Sequence, residues 1–190
     1  VERVAVKPRA LADPGTFTVT FKPFPGSLPI LTVPGANNPK DRLLNQTLFS
    51  VHSGSAKFEG LQFLLRPSQP KDGQQVAAVQ LIGAESCSFT DCVFTLAEED
   101  DSKAAVVTVV DPKEVMAMAV SAQTTPKVKF ERCVIRGKGR GVWVKASRAV
   151  EVEAAHSLTA LDGPVYLAEP KGAASGTKST LKLTRVTAFI

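Results

Sequence analysis

Apolar and polar residues alternate in short segments along this chain, and five of these segments share one frame. Apolar side chains occupy the first, third and sixth positions, and mostly polar or small side chains occupy the second, fourth and fifth. Alternation with a period of two is typical of β-strands, and the two polar or small residues before the sixth position predict a bend between two short strands. The segments are AKFEGLQFLL (56–65), CSFTDCVFTL (87–96), VKFERCVIRG (128–137), VEVEAAHSLT (150–159) and LKLTRVTAFI (181–190).

A second alternating strand is predicted ahead of each frame. Its two inward positions are, in chain order, Phe49-x-Val51, Val79-x-Leu81, Met118-x-Val120, Val142-x-Val144 and Val165-x-Leu167. The residue between each pair is expected to point outward, because successive side chains of a strand face opposite sides. Residues 96–114 are interpreted as the largest insertion between frames, which holds an acidic turn and an apolar strand, AAVVTVV, and GAASGTKS (172–179) is interpreted as a further loop.

The repeat predicts the fold. Third positions of successive frames are 31, 41, 22 and 31 residues apart, and solenoids are built from structural repeats of about 20–45 residues. Over roughly residues 17–190 the pattern resembles the right-handed parallel β-helix, or pectate-lyase-like, superfamily. The resemblance implies an all-β chain, a right-handed parallel β-helix of about five to six coils with long loop insertions. We expect one domain over 1–190, with 1–16 as its start or cap. An antiparallel sandwich is the alternative fold.

Equivalent positions of successive coils are expected to stack inside such a helix. Phe58, Phe89 and Phe130 share the third position of their frames, which predicts a ladder of three rings. Cys92 and Cys133 share the sixth position. Three cysteines without CxxC spacing do not indicate a disulfide scaffold or a zinc site, so we expect them to be small buried apolar groups.

Composition narrows the choice of function only slightly. The 190 residues are 44% hydrophobic and 22% charged, and no apolar run approaches the roughly 20 residues of a membrane helix. The net charge of +5 supports a weak preference for anionic partners. The sequence opens at Val1 and closes at Ile190 within the fifth frame. We therefore expect a continuation or an end-to-end association at the C-terminal coil, as in the accessory domains of larger bacterial proteins that the resemblance implies.

The chain's single tryptophan and single tyrosine suggest a binding surface. Trp143 and Tyr166 fall at the outward position of adjacent upstream strands, so we expect them to stack on the outer face. Lys145 follows on the same face, and Arg140 and Arg148 lie in nearby turns. Aromatic faces offer flat apolar area to sugar rings, and the basic groups would select an anionic ligand. These five residues predict a non-catalytic binding module, for a glycan or a protein partner.

A carbohydrate-active enzyme is the alternative function. The frames place Glu131 and Glu153 at the fourth position of adjacent coils, about 5 Å apart, as a carboxylate pair would require in a polysaccharide lyase or hydrolase. The aspartate motifs of polygalacturonases and their Arg-x-Lys companion are absent from the sequence. The resemblance therefore supports no assignment of a catalytic residue. The sequence indicates neither a metal nor another cofactor. Nucleic-acid binding is not favoured by one aromatic pair and this modest charge.

Overall fold

A computed structural model describes residues 17–33, 45–66, 74–97, 102–111, 125–169 and 178–189. These ranges form strands and turns without a helix, so they contain none that is long and apolar enough to cross a membrane. The start or cap predicted for residues 1–16 lies outside the described residues. The strands are β1 (Thr18–Phe21), β2 (Ile30–Thr32), β3 (Asn45–Val51), β4 (Ser55–Glu59), β5 (Gln62–Leu65), β6 (Gln74–Leu81), β7 (Ser86–Thr90), β8 (Val93–Ala97), β9 (Ser102–Val109), β10 (Lys127–Glu131), β11 (Val134–Lys138), β12 (Arg140–Val144), β13 (Glu151–Ala155), β14 (Leu158–Asp162), β15 (Tyr166–Ala168), β16 (Thr180–Thr184) and β17 (Thr187–Phe189).

Successive strands enter three sheets in turn. Sheet A has the order β1-β4-β7-β10-β13-β16, sheet B the order β2-β5-β8-β11-β14-β17, and sheet C the order β3-β6-β9-β12-β15. All strand pairings between described residues are parallel. The all-β prediction is confirmed, and the stacking is compatible with a parallel β-helix. The alternative of an antiparallel sandwich is wrong.

Aromatic rings form the centre of the core. The predicted ladder of Phe58, Phe89 and Phe130 is confirmed, with centroid separations of 5.1 and 5.2 Å. Phe21 extends it by one ring, stacked on Phe58 at 5.0 Å. Phe94 of sheet B meets Phe89 edge-on at 5.1 Å and an interplanar angle of 87°. Offset stacks and edge-to-face contacts are the two arrangements that aromatic quadrupoles favour, so the ladder adds attraction to burial.

One left-handed residue makes the bend between sheets A and B. The residue directly after each of the strands β4, β7, β10, β13 and β16 has positive φ: Gly60 at 64°, Asp91 at 55°, Arg132 at 51°, His156 at 50° and Arg185 at 52°. Side chains other than glycine rarely adopt this conformation, and here they adopt it in register. Asp91 and Arg132 form a surface ion pair, in which Arg132 donates hydrogen bonds of 2.7 and 2.8 Å to the two carboxylate oxygens.

The predicted register of the fourth frame is wrong by two residues. Val152 pairs with Val128 at the first position, so Ala154, and not Val152, continues the phenylalanine ladder beside Phe130. In the bend, Ser157 takes the position that Cys133 has in the preceding coil. Its hydroxyl oxygen accepts a hydrogen bond of 3.0 Å from the backbone amide of Cys133. A slip of two residues keeps every side chain on its own face of the sheet, so alternation alone cannot detect it.

Two strands of sheet C also differ from the prediction. Residues 102–109 form β9, which pairs with β6 and β12, so the apolar strand predicted inside the insertion at 96–114 belongs to the stack itself. Met118 and Val120, which were expected in its place, lie outside the described residues. In β15 it is Tyr166, rather than Val165, that pairs with Val142, a shift of one residue.

Candidate functional site

Trp143 occupies the outer face of sheet C without being open to solvent. Val142 and Val144 on either side of it belong to the core, so alternation directs the indole away from the core. Only 2% of Trp143 is exposed. Its ring nitrogen donates a hydrogen bond of 2.9 Å to the Glu169 carboxylate, which fixes the orientation of the ring. A buried indole that has a polar partner satisfies its only donor.

Three cationic side chains surround this indole, and we call them the basic cluster: Lys103, Arg140 and Lys145. Lys103 comes from β9, Arg140 begins β12, and Lys145 follows that strand. The charged groups lie 5.6, 4.9 and 4.0 Å from the ring centroid, respectively. Attraction between a cation and the face of an indole stabilises each placement. The tryptophan therefore acts as a platform that gathers positive charge at one place on the face.

The surroundings of the basic cluster are polar. Lys145 donates a hydrogen bond to the side-chain oxygen of Gln75, two strands away along sheet C. Thr47, Gln75, Gln80 and Thr108 line a shallow depression on the same sheet. Hydroxyl and amide groups of this kind can exchange hydrogen bonds with the hydroxyls of a sugar, while the cations attract acidic groups.

Tyr166 does not join Trp143 on the outer face, so the predicted outward stack is wrong. Its partner across the ladder is Val142, and it packs against the hydrophobic core, with its hydroxyl group buried and without a hydrogen-bond partner. Leu167 occupies the position beside Trp143. The one-residue shift in β15 exchanges the two faces of that strand.

Arg148 serves the packing of successive strands. Its guanidinium donates a hydrogen bond of 2.9 Å to the backbone oxygen of Ile82, which follows β6. Burial lowers the pKa of Arg148, and the nearby Asp111 carboxylate partly offsets this. Two of its guanidinium nitrogens are buried without a partner. The structure therefore brings Arg140 and Lys145 together with Trp143, and it directs Arg148 to a different contact.

The carboxylate pair of the alternative function is not formed. Because of the two-residue shift, Glu131 pairs with Ala155, whereas Glu153 lies between Lys129 and Lys182 in sheet A. The Glu131 carboxylate is 3.5 Å from the amino group of Lys129. On the outer face of sheet A, Glu153 thus faces lysines on both neighbouring strands, and the two carboxylates do not face each other.

The cysteines agree with their predicted structural role. Cys87, Cys92 and Cys133 are free thiols and all three are buried. Burial, followed by the neighbouring Cys92, raises the pKa of the Cys87 thiol. A hydrogen bond with Cys92, followed by burial, raises the pKa of Cys133. In the part of the chain that the structure describes, no three His, Cys, Asp or Glu side chains are grouped as metal ligands would be.

Sequence reasoning missed two members of the site. Lys103 was assigned to an insertion, and Glu169 was not considered. The run AAVVTVV after Lys103 was predicted to be a strand, but this strand was placed in an insertion and not beside Trp143 in sheet C. The contact between Glu169 and Trp143 has no such signal, because it depends on how the chain turns after β15.

Comparison with known proteins adds no family assignment. A scan against protein-family models found no match, and searches of curated proteins and of solved structures found none either.

Proposed function

We propose that this chain is a non-catalytic binding module that holds an acidic polysaccharide against the outer face of sheet C. In this proposal the stacked sheets form a right-handed parallel β-helix of five to six coils of the pectate-lyase-like kind. The observation that carries it is the convergence of Lys103, Arg140 and Lys145 on one buried indole, with Glu169 as the adjacent acid.

Four features of the arrangement suit an extended anionic ligand. The cluster draws side chains from two adjacent strands, so its charges are spread over a surface instead of being enclosed in a pocket. The polar groups of Thr47, Gln75, Gln80 and Thr108 continue along the same sheet. Parallel strands are spaced about 4.8 Å apart, which offers a repeating set of contacts to a polymer with repeating units. The formal net charge of +5 favours the approach of a polyanion.

Binding can be tested by calorimetric titration with oligogalacturonides, malto-oligosaccharides of equal length and polyglutamate. We expect saturable binding of the acidic sugar, weakening as salt is added because exposed charges are screened. Substitution of Lys103→Gln should weaken it about three- to tenfold, as loss of one charge-assisted contact does.

Lys57→Gln is the matched control, because it removes the same charge from an exposed lysine on sheet A. It should leave the affinity for oligogalacturonides within about twofold, as expected for a distant surface charge. Equal losses of affinity in both variants would mean that the net charge of the protein, and not the basic cluster, determines binding. Equal binding of polyglutamate would remove the preference for a sugar, and absence of binding to any of the three ligands would refute the proposal.

A further inference from the structure

Glu169 brings an acidic side chain to the same surface that gathers the basic cluster. Its backbone is held in place, because its amide donates a hydrogen bond of 2.8 Å to the backbone oxygen of Val144. Its side chain reaches Trp143, where one carboxylate oxygen accepts the hydrogen bond of 2.9 Å from the ring nitrogen. Within the described residues, this carboxylate has no other hydrogen-bond or ion-pair partner. A single hydrogen bond therefore keeps the carboxylate on the indole.

The position of this carboxylate is one that favours negative charge. The three charged groups of the basic cluster lie 4.0 to 5.6 Å from the centroid of the indole. The carboxylate contacts the edge of that ring, so it lies within about 10 Å of all three cations, which is one Debye length at about 0.1 M salt. Attraction from the cations therefore adds to the hydrogen bond from the indole. A carboxylate of a ligand would be attracted to the same position for the same reasons.

The Glu169 side chain can leave this position at small cost. Glu169 is exposed, whereas only 2% of Trp143 is exposed. Contacts between exposed charged groups contribute little to the stability of a fold, because water solvates those groups well. Rotation of an exposed side chain is fast and needs no movement of the backbone. The hydrogen-bond donor of the indole can thus be released while the backbone bond to Val144 stays intact.

We propose that Glu169 is an internal competitor, whose carboxylate occupies the binding position on Trp143 until an acidic ligand displaces it. The inference rests on the proposed function and adds how the site limits its own affinity. A carboxylate of the ligand takes over the hydrogen bond from the indole, and the Glu169 side chain turns into solvent. A tethered group competes at an effective concentration in the millimolar range, so Glu169 raises the ligand concentration that binding requires.

A purely structural role of Glu169 predicts a different effect of substitution. If the carboxylate only oriented the indole, its replacement would leave the affinity for the ligand unchanged or lower it. Glu169→Gln separates the two roles, because the amide keeps the length of the side chain and an acceptor oxygen for the indole but carries no charge. Internal competition predicts that this variant binds an acidic ligand more tightly than the wild-type chain does.

The test is calorimetric titration of the full chain with oligogalacturonides. We expect Glu169→Gln to bind about three- to tenfold more tightly than the wild-type chain, since one competing and repelling charge is removed. Glu153→Gln is the matched control, because Glu153 is an exposed acid on sheet A, and its affinity should stay within about twofold of the wild-type value. A larger gain for Glu169→Gln than for Glu153→Gln supports the competition.

The outcomes separate this inference from the proposed function. If the wild-type chain binds and Glu169→Gln binds equally or more weakly, the competition is refuted and the proposed function stands. Equal gains in the two variants would overturn the competition in favour of an effect of net charge. Binding by Glu169→Gln alone would support the competition, and failure of both chains to bind would refute the proposed function together with this inference.

The indole N–H of Trp143 reports the displacement itself. Trp143 is the only tryptophan, so a nitrogen-labelled chain gives a single indole N–H resonance in NMR spectra. We expect this resonance to move saturably as oligogalacturonides are added to the wild-type chain, because the acceptor of the N–H changes from Glu169 to the ligand. Saturable binding by calorimetry with an unmoved indole resonance would show that Glu169 stays on the indole, and it would overturn the proposal.

Discussion

Replacing Phe89 with alanine should cost a large part of the stability of the fold. Phe89 is fully buried between Phe58 and Phe130, at centroid distances of 5.1 and 5.2 Å. Phe94 and Phe63 also meet it edge-on, at 5.1 and 6.3 Å. Truncation of a buried phenylalanine costs about 3–5 kcal/mol. Four ring contacts are lost together, each worth about 0.5–1.5 kcal/mol beyond burial, so we expect the upper half of that range. A typical domain has only about 5–15 kcal/mol of stability.

Guanidinium denaturation, followed by circular dichroism and by Trp143 emission, measures this cost. The midpoint should fall while the slope stays constant, because the amount of surface exposed on unfolding is nearly unchanged. Phe24→Ala is the control, since Phe24 is 81% exposed and its loss should change stability by about 0.5 kcal/mol or less. A loss below about 1 kcal/mol for Phe89→Ala would refute the stacked core.

Two further predictions concern residues with positive φ. Gly137→Ala should destabilise by about 2 kcal/mol or more relative to Gly26→Ala in denaturant melts. Both glycines have positive φ, but a Cβ at Gly137 would lie 2.0 Å from a backbone oxygen, and one at Gly26 would meet nothing within 4 Å. Equal losses would contradict this. Hydrogen bonding to Arg132 lowers the pKa of Asp91, so the pair stabilises the fold above the usual aspartate pKa and loses this effect as pH falls through the lowered value. The difference in free energy of unfolding between the wild-type chain and Asp91→Asn should be small at pH 7, because the side chains of Asp91 and Arg132 are both more than half exposed. It should be smaller still at pH 3. A larger difference at pH 3 would contradict the pairing.

Much of the fold could be predicted from the sequence because stacked strands repeat their side chains. The third position of the frames identified Phe58, Phe89 and Phe130 as core residues, and the sixth identified Cys92 and Cys133. Equivalent side chains of successive repeats stack on one another in a solenoid core. The parallel sheets follow from these ladders. Equivalent residues 31 and 41 positions apart can be neighbours in one sheet only if the chain returns to the same place in the same direction.

Register was less predictable, and the candidate site depended on it. In residues 150–155, VEVEAA, two alignments that differ by two residues both keep apolar side chains inward, so the supposed pairing of Glu131 with Glu153 had no independent check. In β15 the core position is taken by Tyr166, whose ring is apolar enough to pack inward. Trp143 was correctly expected on the outer face. The cationic side chains that surround its ring reach it through contacts between strands, and the alternation of residues along one strand does not encode these contacts.

The emission of Trp143 is the most direct test of ligand binding at the basic cluster, because this residue is the only tryptophan and lies beneath that cluster. We predict a blue-shifted emission before ligand is added, because only 2% of Trp143 is exposed. Oligogalacturonides should then change its intensity saturably, with a weaker midpoint in Lys103→Gln, while neutral oligosaccharides should leave it unchanged. A red emission typical of free tryptophan would contradict the burial of the indole. A blue emission that no acidic sugar alters would contradict ligand binding at the basic cluster.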